Sequence, residues 1–221
     1  MMLLADFGTT YAKFMDLAAA NPLPYLEPAK NISPELRVDM ATGHNGKRFT
    51  DYYVNELIAL ARGGEQLISD EDFTLLDCGS RDIKFVRYEK GVLADMGWNA
   101  ECGASMGFTI ELLGRYYNLD YHQLPVPKKS FSVTCGVLGM SQIFDEISAG
   151  SGEEQAVASF VKSIAINAFR FAGEPARIHL SGGLCDNPLF VKSFPGEVIP
   201  MGRFVLLKGL AVMAKKLKGQ P

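Results

Sequence analysis

Two stretches of this chain place the same chemistry at the same spacing. Asp6-Phe7-Gly8-Thr9-Thr10-Tyr11-Ala12-Lys13-Phe14 sets an aspartate, a glycine two residues on, a hydroxyl after it and a lysine seven residues from the aspartate. Asp77-Cys78-Gly79-Ser80-Arg81-Asp82-Ile83-Lys84-Phe85 repeats that template in register. These residue types suit a bound phosphate. Gly8 and Gly79 let backbone amides approach a polyanion, Thr9, Thr10 and Ser80 add hydroxyl donors, and Lys13 adds a cation. Asp6 and Asp77, each at a strand end, can hold a divalent cation or orient a water. One copy alone reads as readily as a hairpin with glycine at its bend; two copies in register favour the phosphate reading.

The elements that must position these turns follow from the flanking pattern. Each turn comes after an apolar run, Met2 to Ala5 and Phe73 to Leu76, which predicts a short buried strand. Tyr11 to Leu17 and Ile83 to Tyr88 return as second strands, the latter turning at Glu89-Lys90-Gly91 into Val92-Leu93 as a hairpin. Between the copies, Pro22 to Pro34 reads as an extended excursion and Leu36 to Met40 as a strand. A Gly-punctuated loop, Ala41-Thr42-Gly43-His44-Asn45-Gly46-Lys47-Arg48, follows. Asp51 is the expected cap of a helix through Leu60, stopped by Arg62-Gly63-Gly64. After the second copy come a small-residue loop from Trp98 to Met106, a helix over Thr109 to Tyr117, an alternating strand over Ser130 to Cys135, and helices over Gly139 to Ala149 and Glu153 to Phe171. Arg177 to Leu180 reads as a strand entering Ser181-Gly182-Gly183-Leu184-Cys185-Asp186-Asn187, and Phe204 to Leu217 as a final helix. Two strand-turn-hairpin units, each running on into helices, describe a duplicated mixed α/β fold with a cleft between halves, the third glycine loop flanking it.

Composition narrows the function classes. The chain has 221 residues, 48% of them hydrophobic, and a net charge of -3, enough for a substantial core and without the basic footprint of a nucleic-acid binder. No apolar run reaches bilayer length, and Asp6 ends the first one too early for a signal-peptide core, so the expected compartment is the cytoplasm, with no membrane partner. In that compartment Cys78, Cys102, Cys135 and Cys185 read as free thiols or metal ligands rather than disulfides. None stands in a Cys-x-x-Cys pair, so spacing gives no support to a mononuclear zinc site. His44, His122 and His179 are scattered and read as surface or packing residues.

Taken together the motifs resemble the sugar-kinase, heat-shock-ATPase and actin superfamily, and within it the ATPases that activate 2-hydroxyacyl-CoA dehydratases and serve benzoyl-CoA reductases. Asp6 to Lys13 matches the first phosphate loop of that family, Ala41-Thr42-Gly43 the short signature before its first long helix, and Asp77 to Lys84 its second phosphate loop. Asn99-Ala100-Glu101-Cys102 and Ser132-Val133-Thr134-Cys135 match the segments that bear its two cluster cysteines, and Ser181 to Asn187 the loop against adenosine. The resemblance implies duplicated ribonuclease H-like halves, residues 1–72 with 205–221 and residues 73–204, the first half truncated. It implies ATP or ADP and Mg²⁺ as ligands, with Gly182, Gly183 and Asn187 joining the phosphate-turn residues in binding and Asp6, Asp77 and Arg81 acting on the phosphates. It further implies a 4Fe-4S cluster on the axis of a homodimer, held by Cys102 and Cys135 of each subunit, an iron-sulfur dehydratase or reductase as partner, and a ferredoxin or flavodoxin as electron donor.

The chain departs from the family pattern at four places. Arg81 stands where the family has Gln, Met140 and Gln142 stand where two acidic residues are usual, and Gly103-Ala104-Ser105-Met106-Gly107 replaces a richer glycine stretch. The first half is also shorter, the Pro-rich excursion replacing a hairpin strand and a helix. Three functions stay open on the sequence: the ATP-dependent electron-transferring activator, a small-molecule kinase of the superfamily with Asp77 or Asp82 as base, and a non-catalytic nucleotide-binding paralogue.

Overall fold

In the computed structural model, which describes residues 2–99, 106–133 and 136–219, the chain forms two compact units. The first unit comprises Met1–Phe73, Val86–Met96 and Arg203–Pro221. Its sheet is made of Leu3–Phe7 (β1), Tyr11–Asp16 (β2), Tyr25–Pro28 (β3) and Met40–Thr42 (β4), in the order β3-β2-β1-β4. β1 and β2 are antiparallel, with Asp6 opposite Lys13, and β4 lies parallel to β1, with Thr42 beside Asp6. Apolar side chains on alternate positions, Ala5, Phe7, Ala12 and Phe14, bury with Val38, Ala41 and Phe49, and the Phe7 and Phe49 rings stack at 4.2 Å. Helices Glu56–Leu67 (α1) and Val205–Lys218 (α6) pack on each other in this unit.

Four expectations are corrected here. The Pro-rich excursion is not strandless, because Tyr25–Pro28 pairs antiparallel with β2. Proline is tolerated there since β3 is an edge strand, which needs only one row of backbone donors. The run from Leu36 contributes its strand only at Met40–Thr42. The first helix is capped by Asn55, whose side chain accepts from the Leu57 N–H at 2.9 Å, not by Asp51. Nor do Gly63 and Gly64 end it. A Cβ on Gly63 would stand 2.3 Å from the Val205 carbonyl oxygen, and one on Gly209 1.9 Å from that of Ala59, so these glycines sit inside helices to let two backbones touch.

The second unit comprises Thr74–Phe85 and Gly97–Gly202. Phe73–Cys78 (β5), Ile83–Glu89 (β6), Val92–Asn99 (β7), Arg177–Ser181 (β8) and Glu197–Gly202 (β9) form a sheet in the order β7-β6-β5-β8-β9, β8 running parallel to β5 and to β9. A two-residue turn with positive φ at Lys90 and Gly91 closes the β6–β7 hairpin. Met106–Tyr116 (α2), Gly136–Ser148 (α3), Glu153–Phe171 (α4) and Pro188–Lys192 (α5) complete the unit. The expected apolar face of α4 is the one that packs: Val157, Phe160, Val161, Ile164, Ala165 and Ala168 are buried, with Phe169 at the margin. The alternating run from Ser130 forms no strand over 130–133; its Asn167 neighbour instead ties it down, the amide donating to the Val133 carbonyl at 2.5 Å. β9 and α5 had no counterpart in the sequence reading. Among the described residues no helix is long and apolar enough to cross a membrane.

Candidate functional site: two Asp-Gly turns and their hydroxyl-Gly partners

The first turn is assembled by the β1–β2 hairpin. Asp6, at the end of β1, is 2% exposed, and the pairing of β1 with β2 brings Lys13 opposite it, Nζ 2.5 Å from Oδ2. A buried carboxylate needs such a counter-charge. Gly8 sits where a Cβ would fall 2.7 Å from the Tyr11 carbonyl oxygen, so the bend itself requires glycine. Thr9 is exposed and Thr10 half-buried, leaving this small-residue bend accessible to a ligand.

The second turn carries more. Asp77 is the next-to-last residue of β5, which is buried throughout, and the Gly79 N–H donates to the Asp82 carbonyl at 3.0 Å, closing the loop. Lys84, with a side chain only 3% exposed, places Nζ 2.5 Å from Asp82 Oδ1, and the Trp98 indole N–H donates to Oδ2 of the same carboxylate at 2.9 Å. The Lys84 ammonium also lies 5.6 Å from the centre of the Trp98 ring. The start of α2 abuts this turn: the Phe108 N–H donates to the Ser80 carbonyl at 3.2 Å, and a Cβ on Gly107 would stand 2.5 Å from the Gly79 oxygen. Ser80 is half-buried and Arg81 exposed.

Each turn has a second part: Thr42-Gly43, for which the sequence suggested no binding role, and Ser181-Gly182, expected against adenosine. Beside Asp6, across the parallel β1–β4 pair, stands Thr42, followed by Gly43 at φ +91°; beside Asp77, across the parallel β5–β8 pair, stands Ser181, followed by Gly182 at φ +90°. A Cβ on Gly43 would fall 2.5 Å from the Phe7 carbonyl oxygen, and one on Gly182 2.3 Å from that of Cys78. Both glycines therefore press on the residue that follows the leading aspartate, in a conformation L side chains rarely adopt. The duplication thus extends from the hairpins to a hydroxyl-Gly step on the neighbouring strand. Hydroxyl followed by glycine after an apolar strand, twice, was the signal for it.

The remaining expected residues divide. Gly183 has open space around its Cβ position, so its backbone is approachable. Asn187 is committed otherwise: its side chain accepts from the Phe190 N–H at 3.0 Å as the cap of α5. Cys78 and Cys185 are buried free thiols in the core of the second unit, and burial, with Asp77 nearby, pushes the Cys78 thiol well up. Cys102 and Cys135 lie outside the described residues, as does the Ala100–Ser105 part of the segment quoted around the first. Trp98, read as the start of a loop, instead belongs to β7, where its indole reaches Asp82.

The donor set fits a magnesium nucleotide. Two buried carboxylates, each beside a buried hydroxyl without a hydrogen-bond partner, are hard oxygen donors, and Mg²⁺ characteristically takes one or two carboxylates with the substrate's phosphates and water. Among the described residues no three His, Cys, Asp or Glu side chains gather into a metal site.

No protein-family model matches the chain. It is 22% identical over 174 residues to the (R)-2-hydroxyglutaryl-CoA dehydratase activating ATPase of Acidaminococcus fermentans, covering 73% of this chain and 66% of that protein. It is 23% identical over 176 residues to the 2-hydroxyisocaproyl-CoA dehydratase activator of Clostridioides difficile, covering 74% of this chain and 66% of that one; the match therefore spans a little under two thirds of both curated relatives. The crystal structure of component A of the Acidaminococcus fermentans (R)-2-hydroxyglutaryl-CoA dehydratase superposes with a TM-score of 0.78 at 18% identity, over 99% of each chain. The Clostridium difficile 2-hydroxyisocaproyl-CoA dehydratase activator with bound ADPNP gives 0.74 at 18% identity, over 100% of this chain and 98% of that one. The sequence likeness is thus to activators of two 2-hydroxyacyl-CoA dehydratases, and the structural likeness, at 18% identity, shows that the chain shares the fold of such proteins.

Proposed function

We propose that this chain is an ATP-dependent reductive activator. The observation that carries the reading is the doubled constellation itself: an Asp-x-Gly-hydroxyl turn with a lysine on its second strand, built twice, beside a hydroxyl-Gly step also built twice. Gly8, Thr9, Thr10, Gly79 and Ser80 offer backbone and hydroxyl donors to phosphate oxygens, Lys13 offers its charge, and Gly182 with Gly183 offers backbone to the nucleoside. Asp6 and Asp77, each in its own unit, would offer a buried carboxylate to a magnesium ion that arrives with a nucleotide, Asp6 giving up its contact with the Lys13 ammonium. Arg81, exposed at the second turn, pairs with phosphate more strongly than the Gln of related proteins and orients an attacking water less well, so nucleotide is held firmly and turned over slowly.

A 4Fe-4S cluster shared by two copies of the chain supplies the single electron in this reading, with Cys102 and Cys135 as the ligands from each. Two thiolates saturate only half of such a cluster, which makes the dimer a requirement of the chemistry. The acceptor is an iron-sulfur dehydratase or related reductase and the donor a ferredoxin or flavodoxin. Asp82 holds both Lys84 and Trp98, so it is not available as the base that a small-molecule kinase would need.

Anaerobic reconstitution with iron and sulfide tests the proposal. Close to four irons per two chains is expected, abolished by Cys102→Ser or Cys135→Ser and spared by Cys185→Ser, with Mg-ADP binding in calorimetry at micromolar to submillimolar strength. Iron content indifferent to Cys102→Ser would remove the cluster from the account, and absence of heat with either Mg-ADP or Mg-ATP would remove the nucleotide.

A further inference from the structure

Thr42 and Ser181 are fully buried, and neither Thr42 Oγ1 nor Ser181 Oγ has a hydrogen-bond partner. A buried hydroxyl left unpaired destabilises a fold, and valine or alanine would fill either strand position without that cost. The same cost is incurred twice, at the same place: each hydroxyl sits on the strand parallel to the aspartate-bearing one, in register with that aspartate, and each precedes a glycine at φ near +90°. In-register neighbours on parallel strands project to the same side of a sheet, with their strands roughly 5 Å apart. One rotamer change therefore brings each hydroxyl to its neighbour's carboxylate.

We propose that Thr42 and Ser181 are positioning residues, each for the aspartate beside it in its own unit when that carboxylate meets the divalent cation of a nucleotide. In the ligand-free fold the Asp6 carboxylate is engaged by Lys13 and the Thr42 hydroxyl has no partner. If a cation brought by a nucleotide were to take the place of the ammonium, the Thr42 hydroxyl would be free to donate to the Asp6 carboxylate and hold it in place. Ser181 does the same for Asp77. The hydroxyls touch neither phosphate nor metal, so they act through the aspartates alone. This rests on the nucleotide reading proposed above and adds two residues to it.

A stabilising hydroxyl and a positioning hydroxyl differ in the sign of one measurement. Thr42→Val keeps the shape of the side chain and removes only the unpaired group, so the ligand-free protein should melt at the same temperature or higher. Its Mg-ADP affinity should fall at least tenfold, while affinity for ADP in EDTA, which lacks the cation, should change less than twofold. Thr42→Ser restores the hydroxyl and should restore Mg-ADP affinity to within threefold of wild type. Ser181→Ala should reproduce the Thr42→Val pattern, and it stands as the second test should Thr42→Val not fold. A lowered melting temperature with unchanged Mg-ADP affinity overturns the proposal and makes the hydroxyls structural; an equal loss with and without the cation also overturns it. Wild-type protein that binds no magnesium nucleotide refutes instead the function on which the proposal rests, so the two failures are distinguishable.

Discussion

The first Asp-Gly turn sets its lysine on the leading aspartate, Lys13 on Asp6, with the lysine side chain 14% exposed; the second adds a carboxylate, Asp82, where the first has Tyr11, and clamps it between Lys84 and Trp98, with Lys84 3% exposed. One template is thus supported in two ways. The first lysine stays within reach of solvent and of a ligand, whereas the second is sealed beneath a half-exposed indole. The difference separates positions that the sequence presents as identical: on the proposed reading Lys13 exchanges partners when nucleotide arrives, whereas buried Lys84 holds the loop from Gly79 to Asp82 in one shape. The loop so fixed is also the one against which Gly107 and Phe108, at the start of α2, are packed.

The glycines shared by both halves test how far the equivalence runs. Gly43→Ala and Gly182→Ala each force a side chain into a left-handed conformation and against backbone 2.5 Å and 2.3 Å away. Backbone strain of this kind costs about 1–3 kcal/mol and overpacking about as much again, so each variant should lose roughly 4 kcal/mol in urea unfolding. A loss confined to one of them would break the equivalence of the two hydroxyl-Gly steps.

The lysines sharpen the contrast. Lys84→Met leaves the Asp82 charge buried with only the indole N–H beside it and should cost about 3–5 kcal/mol. It should also shift the emission of Trp98, the chain's one tryptophan, because the cation over its ring is gone. Lys13→Met should cost about 2 kcal/mol, since water reaches its site, and its larger effect should be on nucleotide affinity. Equal stability losses with equal binding losses would mean that the two turns do the same work after all.

What the sequence disclosed about these turns was what repeats along the chain: the Asp-x-Gly spacing, the apolar approach to it and the long amphipathic α4 all stand as read. What it concealed depends on neighbours brought in from elsewhere. Gly63 and Gly64 carry the local signal of a helix stop, but Val205 packs so closely that a glycine is needed inside the helix. Proline at positions 22, 24 and 28 argues against regular structure, yet an edge strand has a side where a missing N–H costs nothing. Thr42 and Ser181 are small hydroxyl residues of no local distinction, and only the parallel pairing of distant strands sets each beside an aspartate. Asn187 also caps the short helix that begins at Pro188, a role its loop did not disclose.

The smallest expected effect concerns where the second hairpin outruns the first. β2 ends at Asp16, but β6 continues to Tyr88, whose ring stacks on Phe73 at 4.6 Å and whose hydroxyl donates to Glu65 Oε1 at 2.7 Å. Burial, then the hydrogen bond to Glu65 and its charge, raise the Tyr88 phenol above the ordinary value of 10.0. Burial pushes Glu65 the other way from its partners, and the hydrogen bonds from Arg62 and Tyr88 outweigh it, leaving its carboxyl below the usual range. A phenol with a raised folded pKa contributes stability that is complete below pH 10 and is lost as the pH climbs from there toward the folded value, because the unfolded chain gives up its proton first. Tyr88→Phe keeps the ring and removes the titrating group. At neutral pH it should lose about 1 kcal/mol, the worth of one hydrogen bond, and between pH 10 and 11 its unfolding midpoint should fall less steeply with pH than that of the wild type. Parallel alkaline profiles for the two proteins would show that the extra length of β6 is held by the Phe73 stacking alone, and the second hairpin would then differ from the first in packing rather than in polar chemistry.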